Sequence, residues 1–353
     1  VNTQRRLWVQ GLGLLVGAGG SAGPGSAWAA AAAAGAASAT HTTATPPAPE
    51  AGGGVTGKLS GELAAHDPTL WLAADGTQWV FATGEGLARL HSRDGQHWER
   101  RAPVFTNASK PAWWAQHVPA HQGLDVWAPK LFAHRGRLWV MYSISTFGKR
   151  TSAIGLASVA LADGPGAAVW RDDGVLITSN EARSDEGFNA IDPDFYADEN
   201  GRVWMAWGSW WQGLQLTELD PDTLRPRGPI TKLARRRGGI EAPTLLRHGG
   251  HVWLFMSWGL CCKGVDSTYE IRVGRAPTVQ GPFVDREGRL LTEGGGTLLL
   301  AGGARFKGPG HQDVITTPAG TEMVWHAYDA EAAGQPRLRR AVLRWGADGW
   351  PSL

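Results

Sequence analysis

The sequence predicts an all-β fold, a five-bladed β-propeller. Three observations carry that expectation: one strand–turn–strand pattern recurs five times, its openers are spaced by roughly 50 to 70 residues, and no helical periodicity competes with it. The first copy reads Asp67-Pro68-Thr69-Leu70-Trp71, a turn at Asp75-Gly76, then Trp79-Val80-Phe81. The second runs from Ala128-Pro129-Lys130-Leu131-Phe132 through Arg135-Gly136 to Leu138-Trp139-Val140-Met141-Tyr142. The third runs from Asp192-Pro193-Asp194-Phe195-Tyr196 through Asn200-Gly201 to Val203-Trp204-Met205-Ala206-Trp207. In the fourth, Ala242-Pro243-Thr244-Leu245-Leu246 is followed by Gly249-Gly250 and Val252-Trp253-Leu254-Phe255. The fifth is placed at Asp313-Val314-Ile315-Thr316, a turn at Ala319-Gly320, and Met323-Val324-Trp325-His326. Gly at these turns suits tight β-connections, and Pro is tolerated where a strand opens. Further strand-like stretches after each hairpin, such as Ile154-Gly155-Leu156-Ala157 and Tyr269-Glu270-Ile271-Arg272-Val273, supply the outer strands of four-stranded blades.

The first residues read differently. Arg5-Arg6 precedes a weakly apolar, Gly-rich run, and Ala27-Trp28-Ala29 offers small residues at the two positions of an A-x-A cleavage site. Residues 1–29 are expected to be a twin-arginine-like export signal, too short and too interrupted to span a membrane. Residues 30–58, rich in Ala, Thr, Pro and Gly, are expected to form a disordered linker, and residues 59–353 the propeller. A periplasmic or secreted location follows. The net charge of +2 offers no field to gather nucleic acid or an anionic membrane, so neither is expected as a partner and a neutral substrate is comfortable. A monomer is expected. Nineteen Trp against four Tyr fill cores for the most part, but flat aromatic faces are also what sugar rings stack on. Cys261 and Cys262 are adjacent and close no loop; a vicinal disulfide and two reduced thiols both fit.

Aligning the five openers brings acids into register. Asp67 and Asp192 stand immediately before Pro, and Glu241 stands two residues before its Pro, level with His66, Trp127, Ile191 and, in this alignment, Gln312. The first strand of every propeller blade lines the central channel, so the three carboxylates are expected at one mouth of the axis. A single Asp-Pro is most often a turn starter, but turn making does not explain three acids at matching places in different blades. Hydrolysis of a glycosidic bond with inversion does. It needs one carboxylic acid to protonate the leaving oxygen and one carboxylate, roughly 6.5–9.5 Å away, to activate water. A third carboxylate raises the acid's pKa by repulsion.

Nine segments in order make the chain resemble glycoside hydrolase family 43, and within it the endo-α-1,5-L-arabinanases. They are His66-Asp67-Pro68, Trp127-Ala128-Pro129, Ser145-Thr146-Phe147-Gly148, Ser152 to Ala157, Asn189 to Pro193, Gly208 to Gly213, Ile240-Glu241-Ala242-Pro243, Cys261-Cys262 through Tyr269, and Gly308-Pro309-Gly310-His311. The resemblance implies Asp67 as general base, Glu241 as general acid, Asp192 as the residue that tunes that acid, and arabinan as the polysaccharide substrate. It places Trp127 and Phe147 along the sugar groove and Asn189 and Ser209 near the cleaved unit. It also implies a Ca2+ or other ion on the axis beside His311, although calcium prefers oxygen ligands. No organic cofactor is expected.

Two departures stand out: Lys130 where the family usually has Asp, and Gln312 where Asn is common. If Lys130 points into the groove, it reverses a charge beside the acid. Ser92 to Trp98 reads as a hairpin turn with a packed Trp, and Arg235-Arg236-Arg237 as a solvated run. The rival readings are an exo-acting α-L-arabinofuranosidase or β-xylosidase of the same fold, and a non-catalytic sugar-binding propeller.

Overall fold

The computed structural model describes residues 58–182, 187–318 and 320–353. The expected signal, the linker up to residue 57, and Ala319 of the fifth turn lie outside the described residues. Five antiparallel sheets follow one another along the chain as the blades of a five-bladed propeller. The inner, channel-lining strands are Thr69–Leu72, Asp125–His134, Asp194–Ala197, Ile240–His248 and Phe306–Thr317. Each pairs with a Trp-containing second strand: Gln78–Ala82, Arg137–Ile144, Val203–Trp207, His251–Trp258 and Gly320–Asp329. The turns of the first four blades fall where the sequence places them, and Trp98 packs in a buried position beyond its hairpin.

Second strands such as Val203 to Trp207 are apolar on both faces because both faces are covered. Trp204 and Ala206 join a core shared with blade four, while Val203, Met205 and Trp207 join one shared with blade two. Three further apolar clusters fill the remaining gaps between neighbouring blades, the last joining blades five and one. The ring closes through segment 60–64. Ser60–Gly61 pairs in parallel with His97 and Trp98 of blade one, while Ala64 bridges to Arg337 of blade five.

Every inner strand is interrupted at the same point. Asp67, Ala128, Asp192, Ala242 and His311 all take left-handed φ, between 48° and 60°. Register shifts flank the position in blades two, four and five. A non-glycine residue in that region costs about 1–2 kcal/mol, so something must hold it there. The preceding blade does. The Ala128 N–H donates to Thr83 Oγ1 (2.9 Å), that of Asp192 to Ser143 Oγ (3.0 Å), that of His311 to Ser257 Oγ (2.8 Å), and that of Asp67 to His326 Nδ1 (3.1 Å). Each bulge turns one side chain onto the axis.

This geometry corrects the alignment of the fifth repeat. His311, not Asp313, occupies the place of Asp67 and Asp192, and Gly310, not Gln312, is level with Glu241. The fifth opener has no Pro to mark its bulge, so matching acid to acid slid the register by two residues. A second departure is a five-residue helix, Trp113–His117, in the connection between blades one and two. It is too short to show periodicity, and its Trp113 and Trp114 rings pack against Tyr142.

Candidate active site

Two residues beyond each bulge, the inner strands contribute Thr69, Lys130, Asp194, Thr244 and Asp313 to a deeper polar layer. Lys130 Nζ lies 2.6 Å from Asp313 Oδ1 and 2.8 Å from Asp194 Oδ1. The other carboxylate oxygens accept from neighbours: Asp313 Oδ2 from Thr69 Oγ1 (2.7 Å) and the Leu70 N–H (3.0 Å), and Asp194 Oδ2 from the Leu245 N–H (2.8 Å). Lys130 therefore points into this buried layer rather than the groove, and its ion pairs are with Asp194 and Asp313 alone among the described residues. Gln312 is also structural: its amide donates to the Ala242 carbonyl at 2.8 Å.

Above that layer the bulges bring Asp67, Asp192 and His311 together, with Glu241 one residue before its own bulge. All four are largely buried, and each of the three acids responds to the charge of His311, as His311 does to theirs. His311 Nδ1 lies 3.1 Å from Asp67 Oδ1. Burial alone would raise the Asp67 carboxyl, but the charges and hydrogen bonds of His311 and His66 hold it well below the usual carboxylate range. Burial pushes Glu241 upward. The 2.6 Å hydrogen bond from Ser209 Oγ and the charge of His311 oppose that shift, while the charge of Asp67 adds to it. Asp192 is pushed well above its ordinary value, first by burial, then against His311 by its acidic neighbours Glu241 and Asp67. His311 rises to about 9: burial disfavours its charge, but Asp67, Asp192 and Glu241 outweigh it. One carboxylate held ionised and two held toward the protonated form, around one imidazolium, can accept a proton at one place and donate it at another.

The remaining residues singled out in the sequence are scattered around this centre. Trp127 is half-buried, paired with Ser143, and its Nε1 donates to Asp125 Oδ2 at 2.7 Å. Phe147 is 55% exposed in the turn after Ile144. Asn189 is buried, its Oδ1 accepting from Ser152 Oγ at 2.7 Å. Ser209 is held on Glu241 and forms a β-bridge with it. Trp210 and Trp211, beside Ser209, are partly exposed aromatics. Arg235 and Arg237 are exposed, whereas Arg236 stacks over Trp258 at 4.2 Å. Cys261 and Cys262 are joined by a disulfide.

Sequence reasoning missed the groups that hold Asp67. Thr83 Oγ1 donates to Asp67 Oδ2 at 2.5 Å, and His66 Nδ1 lies 2.8 Å from the same oxygen. His326 accepts the Asp67 N–H and stacks on His66 with ring centroids 4.0 Å apart. The only local signal for these was His66, next in sequence; Thr83 follows the second strand of blade one, and His326 lies on that of blade five. His66, Asp67 and His326 offer ligand atoms within 4.8 Å of one another, a group that could hold a metal ion.

A five-bladed propeller with carboxylates of opposed proton affinity at its axis is the framework of a glycoside hydrolase. The chain belongs to family 43: the profile of "Glycosyl hydrolases family 43" matches residues 61–351. The extracellular endo-α-(1→5)-L-arabinanase 1 of Bacillus subtilis is 40% identical over 296 residues, 81% of this chain and 87% of that protein. The extracellular exo-α-(1→5)-L-arabinofuranosidase ArbA of Cellvibrio japonicus is 38% identical, over 83% of this chain and 87% of that protein. The solved structure of a family 43 endo-arabinanase from Bacillus licheniformis superposes with a TM-score of 0.78 at 40% identity, covering 84% of this chain and all of that one (100%).

Proposed function

We propose that this chain hydrolyses internal α-1,5-L-arabinofuranosyl linkages of arabinan with inversion at the anomeric carbon. The carrying observation is the opposed displacement of Asp67 and Glu241 around His311. Asp67 is the base. Thr83 and His66 sit on its Oδ2, and Oδ1, which also faces His311 Nδ1 at 3.1 Å, takes a proton from water as the water oxygen bonds to the anomeric carbon. Glu241 is the acid and delivers its proton to the departing sugar oxygen as the glycosidic bond breaks. Asp192, itself pushed toward the protonated form beside Glu241, would orient that acid and is held in turn through its own N–H by Ser143. Trp127 and Phe147 would offer faces to the sugar rings, Ser209 would aim Glu241, and Asn189 would set the wall beside it.

The resemblance also implies an axial calcium at His311. The donors present fit calcium poorly, because the ion takes oxygen ligands and His66, His311 and His326 bring nitrogens. Protonated His311, against Asp67, already supplies positive charge on the axis. No step is therefore routed through a metal. Export through the twin-arginine-like leader agrees with the extracellular naming of both relatives.

Internal cleavage is favoured by the B. subtilis and B. licheniformis proteins, and the C. japonicus protein supports the exo alternative. Timed digestion of debranched linear arabinan, with products sized, decides between them. Mixed oligosaccharides appearing early, and almost none with Glu241→Ala, are expected. Monomer alone from the first time point would establish exo action. Binding without any product would refute the enzymatic reading for this polysaccharide.

A further inference from the structure

We infer that Trp211 is a specificity-determining residue: with Gln212 and Glu181 it holds a sugar unit of the substrate chain beyond the pair joined by the bond that is cut. Resting on the reading of the protein as an arabinan hydrolase, this adds a subsite that none of Trp127, Phe147, Asn189 and Ser209 supplies.

Ser209, which holds the acid, and Trp211 ride on one short loop, residues 208–213. Both ends of the loop are fixed. Gly208 and Gly213 take φ of 128° and 75°, and a Cβ on either would collide with the Gly213 or the Ala234 carbonyl. Between them the Trp210 N–H donates to the Ile240 carbonyl at 2.8 Å, and the Gln212 N–H to the Gly187 carbonyl at 3.1 Å. The loop is thereby tied to blade four on one side and to the segment that leads into Asp192 on the other. Trp210 and Trp211 have left-handed φ, 54° and 35°. Bulky side chains rarely adopt that conformation, and it is retained where it places a group for use.

The two rings have different surroundings. Trp210 lies over Gly239, where a Cβ would fall 3.1 Å from its ring, and so packs on blade four. Trp211 lines a cleft of about 500 Å³ with Arg150, Glu181, Gly187 and Gln212. At 46% exposure it is the most open Trp among the described residues, and no aromatic or cationic group among them stacks on its ring. Packing does not account for it.

Polar groups complete the cleft. Gln212 Oε1 accepts from Lys232 Nζ at 3.0 Å, which orients the amide. Its NH2, against Gly187, has no hydrogen-bond partner among the described residues. Glu181 brings a carboxylate, one oxygen of which accepts the Arg150 N–H at 3.2 Å. A sugar ring offers C–H bonds on its face and hydroxyls at its rim, so an open indole beside an amide donor and a carboxylate acceptor matches it. The carboxylate disfavours an acidic sugar, whereas an α-1,5-linked arabinofuranosyl unit is neutral. Because successive Cα atoms are about 3.8 Å apart, the Trp211 Cα stands within about 8 Å of that of Ser209. A chain seated on Glu241 therefore reaches the cleft.

The test compares the wild type, Trp211→Ala and Trp211→Phe on linear α-1,5-arabino-oligosaccharides from trimer to octamer, with kcat and KM separated. Calorimetry measures binding of trimer and octamer in the Glu241→Ala background, with and without Trp211→Ala. The ring is open to solvent, so Trp211→Ala is expected to fold, as a thermal scan checks. A remote contact made equally in ground and transition states acts on KM. On the octamer Trp211→Ala is expected to raise KM about tenfold with kcat within about twofold, and on the trimer to raise KM less than about threefold. Trp211→Phe, which keeps an aromatic face, is expected to stay within about threefold of the wild type on the octamer. In the Glu241→Ala background the octamer Kd is expected to weaken about tenfold and the trimer Kd less than about threefold. Equal losses on trimer and octamer, a loss confined to kcat, or no loss would overturn the subsite while the hydrolase reading stood. The binding arm does not depend on turnover: Trp211-dependent octamer binding without cleavage by the wild type would keep the subsite and sink the hydrolase reading. If neither oligosaccharide bound, both would fall.

Discussion

Lys130 is the clearest place to test whether the channel beneath the site is held by charge. Lys130→Met keeps the length of the side chain and removes its ammonium. Lys130 and both partners, Asp194 and Asp313, are buried, so removing the cation leaves two carboxylates without their shared counter-charge. Breaking a buried pair from one side costs about 3–5 kcal/mol. The Thr69, Leu70 and Leu245 donors remain on the outer oxygens, which keeps the carboxylates in place so that they continue to repel each other. An unfolding entropy of about 2.1 cal/mol/K per residue, over roughly 290 folded residues, gives about 0.6 kcal/mol/K, so Tm should fall by about 5–8 °C at pH 7.5. Acid should narrow that deficit. Burial already holds the Asp194 carboxyl above its ordinary value against the pull of Lys130, and losing Lys130 raises it further. A carboxyl whose folded pKa is raised destabilises the fold while ionised, and the penalty fades as pH falls through the folded pKa. The Lys130 ammonium is itself shifted upward, so its contribution is whole below its unfolded pKa near 10.5 and does not change between pH 5 and 7.5. Calorimetric scans of both proteins at pH 5 and pH 7.5 read the difference. An equal deficit at both values would mean lost packing rather than charge, and a change under about 1 °C would refute the cost of the buried pair. Because Lys130 contacts none of the three acids, kcat/KM at 25 °C should stay within about threefold. A tenfold loss in a folded variant would put its charge in the chemistry after all.

The other predictions concern the mouth. His311→Asn removes the charge that lowers both Asp67 and Glu241, so both limbs of the kcat/KM–pH profile should move to higher pH; limbs that stay put would separate His311 from both acids. Ser209→Ala removes a hydrogen bond that favours ionised Glu241, and should move the alkaline limb alone to higher pH, as full pH profiles on linear arabinan would show. Thr83→Val deletes both a donor to Asp67 and the acceptor of the Ala128 N–H; stability should drop by about 1–3 kcal/mol in urea titrations and kcat should fall with it.

What the sequence shows and what it hides divide along one physical line. The blades are legible because each is built from local signals: an apolar run, a Gly turn, and a Pro that opens the strand. Asp67, Asp192 and Glu241 are legible for the same reason, since Pro68, Pro193 and Pro243 mark how far each acid stands from the bulge that aims it. Where the mark is missing, in the fifth opener, the reading slips by two residues and takes Asp313 for the counterpart of Asp67, although His311 holds that place. Lys130 reads as a reversed charge beside the acid only until Asp194 and Asp313, 64 and 183 residues away, are seen to enclose it. The same holds for the proton affinities. The charge that lowers Asp67 comes first from His311 at the bulge of blade five, while the Asp67 N–H rests on His326, 259 residues distant, and its carboxylate on Thr83, 16 residues along and just past the next strand. An inner strand can therefore announce which residue faces the axis. The protonation state of that residue is settled by the charged groups that the other blades bring to the axis, His311 above all, and these meet only once the ring has closed.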